Sequence, residues 1–101
     1  MVIQIDPEEF EKHSLLDYVG NLAGRRVLEV GAGEGRLTWR YADQAAHVTA
    51  LDPNADRIAV ASQDLPDSLQ DRVTFMPVSL EAFELPAGSP GFDVAILSWS
   101  L

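Results

Sequence analysis

Three alternating glycines, Gly31, Gly33 and Gly35, follow a short apolar run and form the stretch of the chain best suited to approach a ligand. Glycine permits backbone angles that are closed to other residues, and it brings the main chain to a ligand with no side chain in the way. Asp52 ends the next apolar run, about 20 residues after Gly31, the interval at which a carboxylate accepts hydrogen bonds from ribose hydroxyls. The pattern therefore predicts a nucleoside site.

Acidic residues around the glycines restrict the kind of nucleoside that fits. Glu29 precedes the first glycine and Glu34 lies within the loop, so both would repel a pyrophosphate. The third glycine also comes one residue earlier than in the dinucleotide fingerprint Gly-x-Gly-x-x-Gly. A ligand with a cationic amino acid end and no phosphate therefore fits better than a dinucleotide.

The segment from Glu29 to Gly35 resembles the first motif of class I S-adenosylmethionine-dependent methyltransferases, in which an acidic residue precedes a Gly-x-Gly-x-Gly loop. Residues 50–54 look like the family's second motif, residues 73–85 like its third-strand region and residues 92–98 like its fourth strand. Four elements in the family's order are more specific than a glycine loop alone. The resemblance implies the cofactor-binding part of an enzyme that transfers a methyl group from S-adenosylmethionine by in-line displacement to an unknown acceptor.

The resemblance also implies which residues hold the cofactor. Glu29 would face the methionine amino group, Asp52 would bind the ribose hydroxyls, and Pro53 would pack on the adenine ring. The backbone of the glycine loop would wrap the methionine and ribose, and residues 79–81 would line the adenine edge. The complete predicted set is Glu29, Gly31, Ala32, Gly33, Gly35, Asp52, Pro53, Ser79, Leu80, Glu81 and Ser98. No catalytic residue and no metal ligand is assigned.

The elements that must position these residues are short apolar runs alternating with helical patterns, which indicates a parallel sheet with right-handed crossovers. Four strands are predicted, over residues 26–30, 47–52, 73–78 and 92–97. Helices are predicted over residues 7–22, after the glycines, and after the N-cap candidate Asn54. The predicted fold class is α/β, a Rossmann-like three-layer sandwich. The resemblance implies strand order 3-2-1-4, truncated after the fourth strand.

We expect residues 1–101 to form one partial domain, with a leading helix segment over 1–24 and the cofactor-binding half over 25–101. Pro77 in the third predicted strand suits an edge of the sheet. The fourth predicted strand would be the opposite edge. Because it is apolar and would be unpaired, we expect self-association with another chain through this strand.

The charge of the chain limits the classes of partner that it can bind. With 16 acidic and 7 basic residues, the formal net charge of −9 disfavours nucleic acid and anionic membranes. The expected methyl acceptor is therefore a small molecule or a protein, and the sequence does not choose between them. The chain has no cysteine and no signal-peptide or membrane-spanning pattern, which is typical of a cytoplasmic protein.

Two other functions stay open at this point. The first is a non-catalytic nucleoside-binding or protein-interaction module that uses the same fold. The second, a piece of a nicotinamide-dependent oxidoreductase, agrees less well with the glycine spacing.

Overall fold

The computed structural model describes residues 2–5, 22–35, 38–85, 87–88 and 90–98. Its strands are β1 (Val2–Ile5), β2 (Arg26–Val30), β3 (His47–Leu51), β4 (Val73–Met76) and β5 (Val94–Ser98). Its helices are α1 (Thr38–Tyr41), which runs into a 3-10 turn at Ala42–Gln44, and α2 (Ala55–Asp64), which is followed by a 3-10 turn at Asp67–Leu69. The leading helix predicted over 7–22 falls outside the described residues except for Leu22, which is buried. Among the described helices, none combines the length and the apolar composition needed to cross a membrane.

The five strands form one parallel sheet in the order β1-β5-β2-β3-β4. The four predicted strands correspond to β2, β3, β4 and β5, so the predicted α/β class and the order 3-2-1-4 are confirmed. Asp93 fixes the start of β5 on β2, because its carboxylate accepts from the Arg26 amide at 2.8 Å and its own amide donates to the Arg26 carbonyl at 2.8 Å. Strand β2 therefore lies between β3 and β5, the arrangement in which a crevice opens at the carboxyl ends of the strands.

The prediction that the fourth predicted strand, β5, would be an exposed edge is wrong. β1 pairs with β5 in parallel, from Val2 opposite Ala95 to Ile5 opposite Ser98. An unpaired strand edge offers a row of free N–H and C=O groups, and the extended segment Val2–Ile5 satisfies them within the same chain. The stretch 1–24, predicted as a leading helix segment, thus contains a strand, and the self-association expected through β5 loses its structural basis.

β4 forms the other edge of the sheet, as predicted from Pro77. The strand is shorter than expected and ends at Met76, so Pro77 follows it. A proline just past the strand removes no hydrogen bond from the pairing with β3.

Helix α2 begins where the sequence predicts. The Asn54 side chain accepts a hydrogen bond from the Arg57 amide at 3.1 Å, a cap that contributes about 1 kcal/mol. Ile58 and Ala61 are buried, and the helix ends at Asp64, two residues before Pro66. The N-terminus of α2 consequently lies directly after β3 and Asp52.

One face of the sheet is built from residues that pair in register across neighbouring strands. Side chains alternate between the two faces of a strand, so residues of one row, and those two positions further along, share a face. The first row is apolar and buried and consists of Val27, Val48, Val73 and Val94. The second row consists of Glu29, Ala50, Phe75 and Ile96. Tyr41, Ala42 and Ala45 belong to the same core cluster as these rows. Glu29 is therefore a carboxylic acid in an otherwise apolar row.

Candidate cofactor-binding site

The glycine loop follows β2 and has a backbone conformation that only glycine adopts easily. Gly31, Gly33 and Gly35 have φ angles of 84°, 58° and 93°. The amides of Gly31 and Ala32 both donate to the Leu51 carbonyl, at 2.8 and 3.0 Å, which ties the loop to the end of β3. Ala32 is buried and Glu34 is exposed. The loop is thus a compact turn at the carboxyl edge of the sheet, where ligands of parallel α/β sheets bind.

Asp52 points into this turn. Its Oδ2 accepts from the Gly33 amide at 2.9 Å, and its Oδ1 accepts from the Asn54 amide at 2.8 Å. The residue is only 5% exposed, so the carboxylate joins the glycine loop to the N-terminus of α2 from a sheltered position. An ionised carboxylate has about four acceptor positions, and these two bonds leave about two for further donors such as ribose hydroxyls.

Glu29 is held by two hydroxyl groups of α1. Its Oε1 accepts from the Tyr41 hydroxyl at 2.6 Å and from the Thr38 hydroxyl at 2.8 Å. All three side chains are buried. The other carboxylate oxygen, Oε2, has no hydrogen-bond partner among the described residues. Glu29 is therefore a half-satisfied carboxylate beside the glycine loop.

Burial controls the protonation of this network. Removal from water raises the pKa of the Glu29 carboxyl, and the hydrogen bonds from Tyr41 and Thr38 lower it in part. Burial and the negative charge of Glu29 raise the pKa of Tyr41 well above its usual value. Tyr41 consequently keeps its proton and remains a hydrogen-bond donor to Glu29.

Stability should therefore depend on pH through Glu29. Because the folded state holds the Glu29 proton more tightly than the unfolded state, the protonated carboxyl stabilises the fold below the usual glutamate pKa, and this contribution is lost as pH rises through the raised folded-state pKa. Relative to the Glu29→Gln variant, the wild type should lose free energy of unfolding as pH rises above the usual glutamate pKa and through the raised folded-state pKa. Urea unfolding at several pH values measures the difference.

The control for this titration is Glu84→Gln, which removes an exposed carboxylate and leaves the Glu29 network intact. The fall relative to Glu29→Gln should persist in this control. Parallel pH profiles for the wild type and Glu29→Gln would contradict the expectation.

The remaining predicted site residues lie at the same edge of the sheet. Pro53 follows Asp52 and is exposed. Ser79, Leu80 and Glu81 form the turn after β4, in which the Ser79 carbonyl accepts from the amides of Ala82 and Phe83 at 3.2 and 3.1 Å. Leu80 is 44% exposed, more than any other large apolar side chain that the structure describes. Ser98 ends β5, and its side chain lies outside the described atoms. The contacts of these residues with a ligand stay predictions.

The sequence patterns do not identify Thr38 and Tyr41 as polar residues of the site. Tyr41 fits an apolar helix face, and nothing in the motifs gives Thr38 a role. Their spacing of three residues places them on one side of a helical turn, which is the available signal. The sequence predicts Asn54 only as a helix cap, yet its amide also binds Asp52.

Comparison with known proteins agrees with this geometry. Residues 27–101 match the family model described as a methyltransferase domain. The chain is 31% identical over 96 residues to phosphoethanolamine N-methyltransferase 1 of Triticum aestivum, with 95% of this chain and 19% of that protein covered. It is 42% identical over 85 residues to the tRNA U34 carboxymethyltransferase of Psychrobacter arcticus, with 75% of this chain and 24% of that protein covered.

A solved structure shares the fold. The magnesium protoporphyrin IX methyltransferase of Synechocystis PCC 6803, crystallised with bound S-adenosylmethionine, is 27% identical and superposes with a TM-score of 0.64. The match covers 81% of this chain and 38% of that one. The chain therefore belongs to the methyltransferase domain family, and the predicted relationship to class I S-adenosylmethionine-dependent methyltransferases is confirmed.

Proposed function

We propose that this chain binds S-adenosylmethionine at the carboxyl ends of β2 and β3, as the cofactor-binding part of a methyltransferase. The observation that carries the proposal is the 2.9 Å hydrogen bond from the Gly33 amide to Asp52. It brings the one sheltered carboxylate that follows β3 against a turn built of positive-φ glycines. Ribose hydroxyls are donors that suit a carboxylate acceptor, and the amino acid end of the cofactor needs a backbone that comes close.

The groups present suit this cofactor chemically. S-adenosylmethionine carries ribose hydroxyls and an ammonium group, and both are hydrogen-bond donors that match carboxylates. Asp52 has acceptor capacity left for the hydroxyls, and Oε2 of Glu29 is a buried acceptor without a partner among the described residues. Residues 29–35 contain two carboxylates and no basic side chain, a combination that opposes a pyrophosphate.

The main contribution expected from these residues is to hold the cofactor in line with the methyl acceptor. The chemistry that the cofactor brings when bound is a methyl group on a sulfonium already activated for displacement, so a correct line of approach supplies much of the acceleration. Asp52 anchors the ribose and the Glu29 region anchors the amino acid end. Two anchors on either side of the sulfur fix its direction relative to the sheet. Acceptor-binding groups are not assigned.

The scope of the proposal follows from the length of the match. The chain spans about a fifth to a quarter of the length of the two curated relatives, with 19% and 24% of those proteins covered. One of these relatives is named as a phosphoethanolamine enzyme and the other as a tRNA enzyme, so the cofactor half does not select an acceptor. The net charge of −9 favours a small molecule or a protein over nucleic acid. A cytoplasmic location, expected from the cysteine-free sequence, is part of the proposal.

Isothermal titration calorimetry with S-adenosylhomocysteine and with NAD tests the cofactor assignment. We expect binding of S-adenosylhomocysteine and no binding of NAD, because the loop lacks the third-glycine spacing and the charge that a pyrophosphate requires. Binding of NAD alone would assign the site to an oxidoreductase. Absence of binding to both would favour the non-catalytic interaction module.

A further inference from the structure

The Glu29 carboxylate is held unsymmetrically. Both hydroxyl donors, Tyr41 at 2.6 Å and Thr38 at 2.8 Å, bind the same oxygen, Oε1. The second oxygen, Oε2, is buried and has no partner among the described residues. Two donors that converge on one oxygen fix the plane and direction of the carboxylate and leave the other oxygen available.

We propose that Tyr41 and Thr38 are positioning residues that orient Glu29 so that Oε2 receives the α-ammonium group of the cofactor. The inference rests on the proposed function, and it adds two residues that do not themselves touch the ligand. It also predicts selectivity, because the network recognises only ligands that carry a free amino acid end.

The chemistry of the unpartnered oxygen supports an ammonium as its partner. A buried acceptor without a donor costs free energy, and the cost is larger for a charged group. An ammonium is a donor with no acceptor, and its charge offsets that of the carboxylate in a site removed from water. Glu29 lies near the end of β2, two residues before Gly31, where the glycine loop begins.

The placement of the two hydroxyls follows from the fold. Glu29 lies in the sheet row whose other members are apolar, so neighbouring strands offer no donor to its carboxylate. α1 begins directly above this row and presents Thr38 and Tyr41, three residues apart, on one side of a helical turn. Burial of Tyr41 and Thr38 keeps water from competing for Oε1.

The affinities for two ligands distinguish the positioning role from a general effect of the substitutions on the fold. S-adenosylhomocysteine carries the amino acid end, whereas methylthioadenosine has the same adenosine and sulfur without it. For Tyr41→Phe we expect calorimetry to show affinity for S-adenosylhomocysteine reduced by about tenfold or more, the range for a lost hydrogen bond to a charged group. Affinity for methylthioadenosine should stay within about twofold.

Variants at Thr38 provide the second test and a rescue. Thr38→Val should weaken S-adenosylhomocysteine binding selectively, as Tyr41→Phe does, and Thr38→Ser, which keeps the hydroxyl, should restore it. The matched control is Thr49→Val, which removes a buried hydroxyl from the opposite face of the sheet. It should change neither affinity.

Each of the other possible results would contradict the positioning role, the ammonium contact or the proposed function. Equal losses for both ligands in Tyr41→Phe and Thr38→Val would show a structural role and reject the positioning role. Unchanged binding of S-adenosylhomocysteine in both variants would reject it too. If the wild type bound methylthioadenosine as tightly as S-adenosylhomocysteine, the ammonium contact would be wrong while the proposed function stood. If it bound neither ligand, the proposed function itself would fail.

Discussion

Asp52→Ala is expected to weaken binding of S-adenosylhomocysteine by about 100-fold or more, because two hydrogen bonds from ribose hydroxyls to the carboxylate are lost together. The same substitution releases the amides of Gly33 and Asn54, which Asp52 holds at 2.9 and 2.8 Å. The glycine loop then loses its tether to the start of α2. Isothermal titration calorimetry measures the affinity, and circular dichroism reports whether the fold is retained.

Asp56→Ala is the matched control for Asp52→Ala. Both variants remove one carboxylate close to the N-terminus of α2: Asp52 precedes the Asn54 cap and is buried, whereas Asp56 lies in the first turn of the helix and is exposed. Its affinity should stay near that of the wild type. Asp52→Asn keeps one oxygen acceptor and should bind with an intermediate affinity. Wild-type affinity in Asp52→Ala, with the fold intact, would remove the ribose contact from the proposal.

Gly35→Ala is expected to lower the free energy of unfolding by about 2 to 5 kcal/mol, the sum of backbone strain and overpacking. The residue has a φ of +93°, and an added Cβ would lie 2.8 Å from Cζ2 and 2.9 Å from Cε2 of Trp39. The indole cannot easily move aside, because it packs edge-on against Phe75 with ring centroids 5.6 Å apart. Urea unfolding measures the loss.

Gly24→Ala separates the cost of backbone strain from the cost of the contact with Trp39. Gly24 has a φ of +74°, and apart from its chain neighbours no atom of the described residues lies within 4 Å of the position that an added Cβ would take. This variant should lose only the strain contribution, about 1 to 2 kcal/mol. Trp39→Leu in the Gly35→Ala background should recover part of the remaining difference. Equal losses for the two alanine variants would show that Trp39 does not constrain the loop.

Much of the fold and part of the site follow from local signals. The apolar runs that form β2 and β3, and the glycines between them, are each recognisable within a few residues. The Asn54 cap is equally local. The carboxyl ends of parallel strands meet at one edge, and the interval of about 20 residues from Gly31 to Asp52 is the one expected for a carboxylate beside the glycine loop. The bond between Gly33 and Asp52 agrees with that expectation.

The pairing of β1 with β5 could not be predicted in this way. Val2–Ile5 is four residues long, too short for a periodic pattern, and its partner is more than 90 residues away along the chain. Such pairing depends on which extended segment reaches an unpaired edge, which is a property of the folded chain. The expectation of an exposed β5 failed for this reason.

By itself the sequence determined the glycine loop and the position of the carboxylate that follows β3, since backbone stereochemistry and the spacing after the first strand limit these locally. The order of the four predicted strands came from the resemblance to class I methyltransferases. Only the tertiary structure decided how Glu29 is held, because its partners Thr38 and Tyr41 come from a helix packed over the sheet. A buried polar group binds whichever donors the packing brings within reach, and no short sequence pattern encodes that packing. The same holds for the contact between Gly35 and Trp39.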